Sequence, residues 1–299
     1  MTSFIRSVLV YKGHDRHPLV GPYTANVEKQ IQMFHLLNEY RQKEGRPLWE
    51  VLSVPGEELI STLAKSKAKE TLLVIPAGQS SHLDAVFSLR EVECIRENFL
   101  GVGGRLYATC GASYMLSQTR EYDGLCTQNP SQRELVVKQS ILPLFAGTAK
   151  GPLCPFPGKK YQVGFYSDAV TVTNGVENCT VYLSGGGSFL RGDSAQKAAV
   201  LVKYLGSELL RFGKKEEECE PLSSATILAK VGGGAALLSM FHPYYSANDI
   251  DVKLYESAFP DCGTNWREVK ARLSSLDERM RFVLKAMLYP LEDAVAESP

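Results

Sequence analysis

Cys110 is the residue whose surroundings in this sequence best suit nucleophilic chemistry. It ends an apolar run and is followed by small residues, within the segment 103–113. This pattern indicates a nucleophile elbow, a sharp strand-to-helix turn whose strained central residue projects its side chain. The positive field at the start of the following helix lowers the pKa of a thiol, which raises the thiolate fraction. The sequence therefore predicts Cys110 as a nucleophile.

His242 is the matching candidate for a general base. It directly follows the apolar segment 237–241 and precedes Pro243, which places it at the end of a predicted strand. Because His242 is far from Cys110 in the sequence, the pair is a hypothesis about tertiary contact. A structural role for either residue stays open, because free cysteines are often buried and isolated histidines often belong to a core.

Composition limits the classes of partner and cofactor. The 33 basic and 33 acidic residues leave no net charge, so neither nucleic acid nor a membrane surface is an expected partner. A small-molecule ligand is expected, with a protein partner as a further possibility. Seven cysteines without regular spacing indicate reduced thiols, and no metal site or other cofactor is predicted. A cytoplasmic location is expected, since no signal peptide and no apolar run of ~20 residues is found.

The first half of the sequence alternates strand and helix patterns. Predicted strands cover 7–11, 50–54, 71–75 and the run ending at Cys110, and predicted helices cover 23–44, 57–67 and 83–99. Apolar strands without alternation indicate burial on both faces, and hence a flavodoxin-like α/β fold with a parallel sheet flanked by helices. Ligands of such sheets bind beyond the carboxyl ends of the strands. Gly13, Gly78, Cys110 and His242 all follow predicted strand ends, so one crevice is expected to contain them.

The second half has a different pattern, although a single domain over 1–299 is expected. A turn-rich and β-rich antiparallel insertion is predicted at about 143–220, with no regular element in 143–160. A hairpin formed by 225–230 and 235–239 is predicted to lead to His242. A final amphipathic helix at about 265–290 is most simply packed on the sheet, with a dimer contact as the alternative. The glycines at 101–104 and 184–187 lack the pattern of a phosphate loop and are interpreted as turns.

Several motifs occur in an order that is characteristic of one family. They are Val10-Tyr11-Lys12-Gly13, Cys110-Gly111-Ala112, the segment 144–152, Phe165-Tyr166-Ser167-Asp168, the segment 181–189 and Phe241-His242-Pro243-Tyr244. Together they resemble the amino-terminal domain of eukaryotic biotin protein ligases and its free-standing relatives, a family built on the class I glutamine amidotransferase fold. The resemblance covers nearly the whole chain, and the segment 144–152 is its most specific part.

The resemblance implies a set of site residues. The family and the amidotransferases carry His-Pro-Glu where this chain has His242, Pro243 and Tyr244, so a phenol replaces the carboxylate that would orient the base. Asp168 takes another acidic position of the family and is the preferred substitute, ahead of Asp249 and Asp251. Further predicted ligand-binding residues are Gly78 and Gly111 as oxyanion donors, together with Gly13, Tyr244 and Gly186.

Two functions are consistent with these residues. The first is a Cys110–His242 hydrolase or amidotransferase acting on an amide or acyl substrate, with Asp168 as the third member. The alternative is an inactive module that binds a small molecule or a protein in the same crevice. Oxidation sensing at Cys110 is a third hypothesis. Biotin transfer is not expected, because the adenylate-loop and Lys-Trp-Pro-Asn motifs of a ligase domain are missing from this sequence.

Overall fold

A nine-stranded sheet runs through the centre of the protein and positions the predicted site. The computed structural model describes residues 4–14, 22–78, 80–125, 133–153, 167–192, 198–205, 211–212, 220–221, 224–258 and 265–295. The strands are β1 Ser7–Tyr11, β2 Glu50–Val54, β3 Thr71–Ile75, β4 Arg105–Thr109, β5 Ser117–Leu125, β6 Arg133–Gln139, β7 Phe145–Gly151, β8 Ser167–Thr173, β9 Asn178–Ser184, β10 Ser188–Arg191, β11 Ala198–Tyr204, β12 Arg211–Phe212, β13 Glu220–Pro221, β14 Ser224–Val231 and β15 Gly234–Ser239.

Helices connect and flank these strands. They are α1 Pro22–Lys43, α2 Gly56–Lys65, α3 Ser80–Val86, α4 Leu89–Glu93, α5 Gly111–Met115, α6 Val252–Ala258, α7 Trp266–Arg272, α8 Leu276–Val283 and α9 Tyr289–Asp293. Wider π-helical turns extend α4 through Cys94–Leu100 and join α8 to α9 through Leu284–Leu288. Within the described ranges, no helix is long and apolar enough to cross a membrane.

The sheet order confirms the predicted fold class. It runs β2-β1-β3-β4-β15-β14-β11-β8-β9, with parallel pairing from β2 to β15 and antiparallel pairing from β15 to β9. The first four strands follow the flavodoxin-like order 2-1-3-4, and β15 takes the fifth place. A second sheet of order β10-β7-β5-β6 contains part of the predicted insertion.

The parallel strands end at one edge of the sheet, as predicted. Every residue of β3 and β4 is buried, in agreement with strands that are covered on both faces. The register pairs Thr109 with Ser239 and Ala108 with Ile75, so β3, β4 and β15 end at nearly the same level. Cys110 and His242 therefore follow neighbouring strands, and Gly78 and Gly13 follow β3 and β1 at the same edge.

Three predicted elements differ from the structure. The helix predicted at 83–99 is divided at residues 87–88, because Ser88 caps α4 together with Glu91. The turn-rich interpretation of 143–160 is wrong for β7, which alternates buried and half-buried residues and pairs with both β5 and β10. The C-terminal helix is interrupted after Arg272, because Ser274 exchanges hydrogen bonds with Thr180 of β9 and Ser275 caps α8 together with Glu278. The segment 161–166, which includes Phe165 and Tyr166 of the family motif, lies outside the described residues. The single-domain organisation stays a prediction.

Candidate active site at the carboxyl ends of the parallel strands

Cys110 adopts a strained backbone conformation between β4 and α5. Its φ of 48° and ψ of −117° make it the one non-glycine residue with positive φ in the part of the chain that the structure describes. Such a conformation costs an L residue about 1–3 kcal/mol and persists only where the surroundings impose it. The Ser239 carbonyl imposes it here, because it accepts from the Cys110 N–H at 2.7 Å and from the Ser113 hydroxyl at 2.9 Å.

The Cys110 thiol is held as a neutral group. Its Sγ donates to the Ser184 carbonyl at 3.4 Å. Burial raises the pKa of this thiol to about 12, although the nearby Gly111 N–H acts in the opposite direction. The expectation of a lowered thiol pKa is therefore wrong, because desolvation outweighs the field of a helix that is only five residues long.

His242 lies near the same Ser184 carbonyl and is also uncharged. Its backbone N–H donates to the Tyr182 carbonyl at 2.8 Å, which fixes the residue against the edge of β9. The residue is only 5% exposed, and its Nε2 makes no hydrogen bond among the described residues. Burial lowers the pKa of the imidazole to about 4, and the Ser184 carbonyl opposes this shift. At neutral pH the site therefore contains a neutral thiol and a neutral imidazole.

Tyr244 occupies the orienting position on the other side of the imidazole. Its hydroxyl lies 2.8 Å from His242 Nδ1. Asn26 donates through Nδ2 to the Ala77 carbonyl at 3.1 Å, which leaves its Oδ1 to accept from Tyr244 at 3.5 Å and Tyr245 at 3.3 Å. The Tyr244 hydroxyl can donate to Nδ1 or accept from it, so these contacts do not fix the tautomer of His242. Nε2 carries the lone pair that a general base needs in the tautomer with the proton on Nδ1.

The carboxylates that were expected to replace the triad acid are engaged elsewhere. Asp168 accepts from Arg272 of α7 at 3.2 Å and from the Ala169 N–H at 2.7 Å. Asp249 is paired with Lys29, and Asp251 accepts from the backbone N–H of Leu254 at 3.1 Å. This corrects the assignment of Asp168 as the orienting acid, because α7 draws its carboxylate to Arg272 while Tyr244 faces the imidazole.

The predicted glycines have separate surroundings. The Gly111 N–H faces the thiol, and Gly78 follows the strand next to Cys110. Gly13 has a φ of 84°, and its carbonyl accepts from the Gly56 N–H, which joins the segments that follow β1 and β2. A Cβ on Gly186 would lie 2.3 Å from the Met240 carbonyl oxygen, so close packing explains this glycine. The ligand-binding roles of all four stay predictions.

Tyrosine side chains make up much of the wall around His242. The rings of Tyr182, Tyr244 and Tyr245 lie with their centroids 5.5–5.9 Å from the imidazole. Lys29 lies over the Tyr245 ring at 5.1 Å, but Asp249 neutralises its charge. A wall of this kind favours an uncharged ligand with hydrogen-bonding groups over an ionic one.

The sequence prediction missed the contribution of α1 to this site. Asn26, Lys29 and Gln30 lie on one helical face, and Gln30 donates to the Thr109 hydroxyl at 2.7 Å. The available signal was three polar residues at helical spacing beside the apolar face of α1.

Among the residues that the structure describes, no cluster of three or more His, Cys, Asp or Glu could hold a metal ion.

The buried imidazole predicts a specific pH dependence of stability. The pKa of His242 falls from 6.5 in the unfolded chain to about 4 in the folded one. Below pH 6.5 the unfolded chain therefore binds a proton that the folded chain does not. The part of the folding stability that depends on a neutral His242 is thus fully present above pH 6.5 and is lost as the pH falls toward 4. Between pH 7 and pH 5 we expect a loss of about 2 kcal/mol in the free energy of unfolding. Urea unfolding of wild type and His242→Gln at both pH values measures it, and equal pH slopes for the two proteins would contradict it.

Comparison with known proteins identifies a family whose sequence model this chain matches. Residues 33–298 match a family model described as biotin-protein ligase, N terminal. The biotin–protein ligase of Schizosaccharomyces pombe is 29% identical over 194 residues, which cover 62% of this chain and 28% of that protein. The chain thus spans little more than a quarter of the length of this relative.

Solved structures are similar to this chain at lower sequence identity. A glutamine amidotransferase from Thermotoga maritima has a TM-score of 0.42 and 13% identity, over 98% of this chain and 99% of that one. The exo-beta-1,4-mannosidase Op5Man5 from Opitutaceae bacterium strain TAV5 has a TM-score of 0.41 and 13% identity, over 91% of this chain and 37% of that one.

Proposed function

The chain belongs to the biotin-protein ligase N-terminal family, and we propose that its crevice is a cysteine-dependent acyl-transfer site for an uncharged amide. The strained backbone of Cys110 is the observation that carries this proposal. Strain at a non-glycine residue between a strand and a helix is the arrangement expected of a nucleophile elbow. A residue that served only for packing would gain stability by relaxing from it.

The chemistry assigns one role to each neighbouring group. The sulfur of Cys110 attacks the amide carbonyl while its proton passes to His242 Nε2, and the Gly111 N–H stabilises the oxyanion. Attack forms a tetrahedral intermediate. When this intermediate collapses, the C–N bond breaks and the imidazolium gives its proton to the amine, so a thioester and a free amine are formed. Water then attacks the thioester with His242 again as base, which releases a carboxylic acid and restores the thiol.

The protonation states set the kind of mechanism. Because burial raises the pKa of the Cys110 thiol and lowers that of His242, a resting thiolate–imidazolium pair is disfavoured. Proton transfer therefore accompanies attack, as it does for a serine nucleophile, and does not precede it. The tyrosine wall suits an uncharged substrate because it presents aromatic rings and no unpaired charge.

A second candidate is a binding module without turnover. Two observations favour it: Tyr244 supplies no negative charge to the imidazole, and the thiol already has an acceptor in Ser184. In that function the crevice binds a small uncharged ligand or a segment of a partner protein. Biotin ligation is named for the Schizosaccharomyces pombe relative and is not proposed for this chain, which spans 28% of that protein.

Acetylation by p-nitrophenyl acetate tests the proposal. We expect release of one p-nitrophenolate per chain in a burst, with the acetyl group located on Cys110 by peptide mass spectrometry. His242→Ala should slow this acetylation by about 10²–10⁴-fold, the usual contribution of a general base.

Cys179 is an internal control for this experiment. It is buried, its pKa is raised to about 11 by burial, and it should stay unmodified in the folded protein. Acetylation of Cys110 that does not depend on His242, or that is no faster than at Cys179, would reject acyl transfer and leave the binding module.

A further inference from the structure

We propose that the peptide between Ser184 and Gly185 is a switch in this site: its carbonyl holds the Cys110 thiol at rest, and after a flip its N–H becomes an oxyanion donor. This inference rests on the proposed acyl-transfer function and concerns its regulation. The Ser184 carbonyl accepts from the thiol at 3.4 Å and also stabilises the cationic form of the His242 imidazole, so this one oxygen lies beside both groups at rest. The buried Nε2 of His242, which has no hydrogen-bond partner among the described residues, marks where the thiol proton would go.

The Ser184 carbonyl does not belong to the ladder between β8 and β9. The Tyr182 carbonyl accepts from the His242 N–H at 2.8 Å, and the Thr180 carbonyl accepts from the Ser274 N–H at 3.0 Å. Even-numbered residues of β9 therefore direct their backbone groups away from β8. Alternation along the strand places the Ser184 carbonyl on the same outer side. Turning this peptide breaks no hydrogen bond of the sheet.

Gly185 gives the peptide the freedom to turn. Its φ of 63° lies in the left-handed region, and a flip of the preceding peptide would move φ to roughly −117°, in the broad β region. Within the described residues the Gly185 N–H donates no hydrogen bond. The peptides that follow are anchored, because Tyr114 Oη donates to the Gly185 carbonyl at 3.3 Å and the Leu153 N–H donates to the Gly186 carbonyl at 2.8 Å. Rotation is thus confined to a single peptide.

The flip reverses the electrostatics at the sulfur. A carbonyl oxygen beside the thiol disfavours the thiolate, whereas an N–H at the same place stabilises both the thiolate and a developing oxyanion. Loss of the Ser184 acceptor also frees the S–H to meet the imidazole of His242. Substrate whose carbonyl oxygen accepts from the Gly185 N–H would favour the flipped form, so binding and activation are coupled.

Substitutions at Gly185 test the switch through alkylation of Cys110 by iodoacetamide at pH 7. Alanine disfavours the left-handed region, and this cost corresponds to a factor of about 5–30 in the equilibrium toward the flipped form. Cys110 should therefore be alkylated at least about fivefold faster in Gly185→Ala than in wild type. Gly185→Asn is the matched variant, because asparagine tolerates the left-handed region, and it should alkylate several times more slowly than Gly185→Ala.

Gly175→Ala is a control for strain alone. Gly175 has a φ of 89°, and a Cβ there would meet nothing within 4 Å, so the substitution strains a turn without touching the site. Its alkylation rate should equal that of wild type. Gly185→Ser replaces Gly185→Ala if the latter does not fold, as judged by circular dichroism.

The outcomes separate this inference from the function on which it rests. Equal alkylation rates for Gly185→Ala and Gly185→Asn would overturn the switch, even if acetylation of Cys110 depends on His242. Alkylation needs no acyl transfer, so a rate difference between the two variants without His242-dependent acetylation would support the switch and reject the enzyme. A gain in Gly175→Ala as large as in Gly185→Ala would also overturn the switch.

Discussion

Replacing Tyr244 with glutamate is expected to accelerate acetylation of Cys110 by about a hundredfold at pH 7. The Tyr244 hydroxyl lies 2.8 Å from His242 Nδ1, so a carboxyl group at this position would face the imidazole. A carboxylate within hydrogen-bond reach raises the pKa of an imidazole by about one to three units, and each unit increases the population of the ion pair tenfold. The glutamate would thus supply a negative charge that stabilises the imidazolium, the form of His242 that burial now disfavours.

The control for this prediction is Tyr244→Gln, which has the size of glutamate without its charge. It should acetylate no faster than wild type, because an amide orients the imidazole without stabilising its cation. Adding His242→Ala to Tyr244→Glu should remove the gain, and circular dichroism checks the fold of each variant. Equal acetylation rates for the glutamate and glutamine variants would show that a negative charge beside Nδ1 does not control the reactivity of the Cys110 thiol.

Glu292→Ala is expected to lower the free energy of unfolding by about 3–5 kcal/mol, the cost of leaving a buried charge without its partner. Glu292 is 3% exposed, and its carboxylate lies 3.0 Å from Arg41 Nη1 and 3.3 Å from Arg46 Nη1. Arg41 is fully buried, stacks over the Trp49 ring at 4.0 Å and cannot recover water when the carboxylate is lost. Urea unfolding followed by circular dichroism measures the change.

Glu268→Ala is the matched control for this stability prediction. Its carboxylate pairs with Arg272 at 3.6 Å on the surface of α7, with a side chain that is 58% exposed. Exposed pairs of this kind contribute at most about 1 kcal/mol, because water and salt screen them. Similar losses for Glu268→Ala and Glu292→Ala would contradict the prediction that burial makes the second ion pair important.

The placement of the site could be predicted because it depends on local patterns and one general property of parallel sheets. Apolar runs gave β1 and β3 with the bounds that the structure has, and the strands before Cys110 and His242 were equally clear. Once the strands are parallel, their carboxyl ends meet at one edge without further information. The strand β7 was missed because its glycines and flanking prolines outweighed its alternation, and its stability comes from pairing with β5 and β10.

The sequence by itself predicted which residues follow the strands at one edge of the sheet: a cysteine among small residues, a histidine after an apolar strand, and a tyrosine where the resembled family has an acid. Only the tertiary structure decided their chemical state. Ser184, 74 positions from Cys110, holds the thiol, Arg272 removes Asp168 from the site, and Asn26 of α1 fixes Tyr244. Burial then raises the pKa of the thiol and lowers that of the imidazole. Desolvation and hydrogen bonding depend on which groups surround an atom in space, and in this protein those groups come from distant parts of the chain.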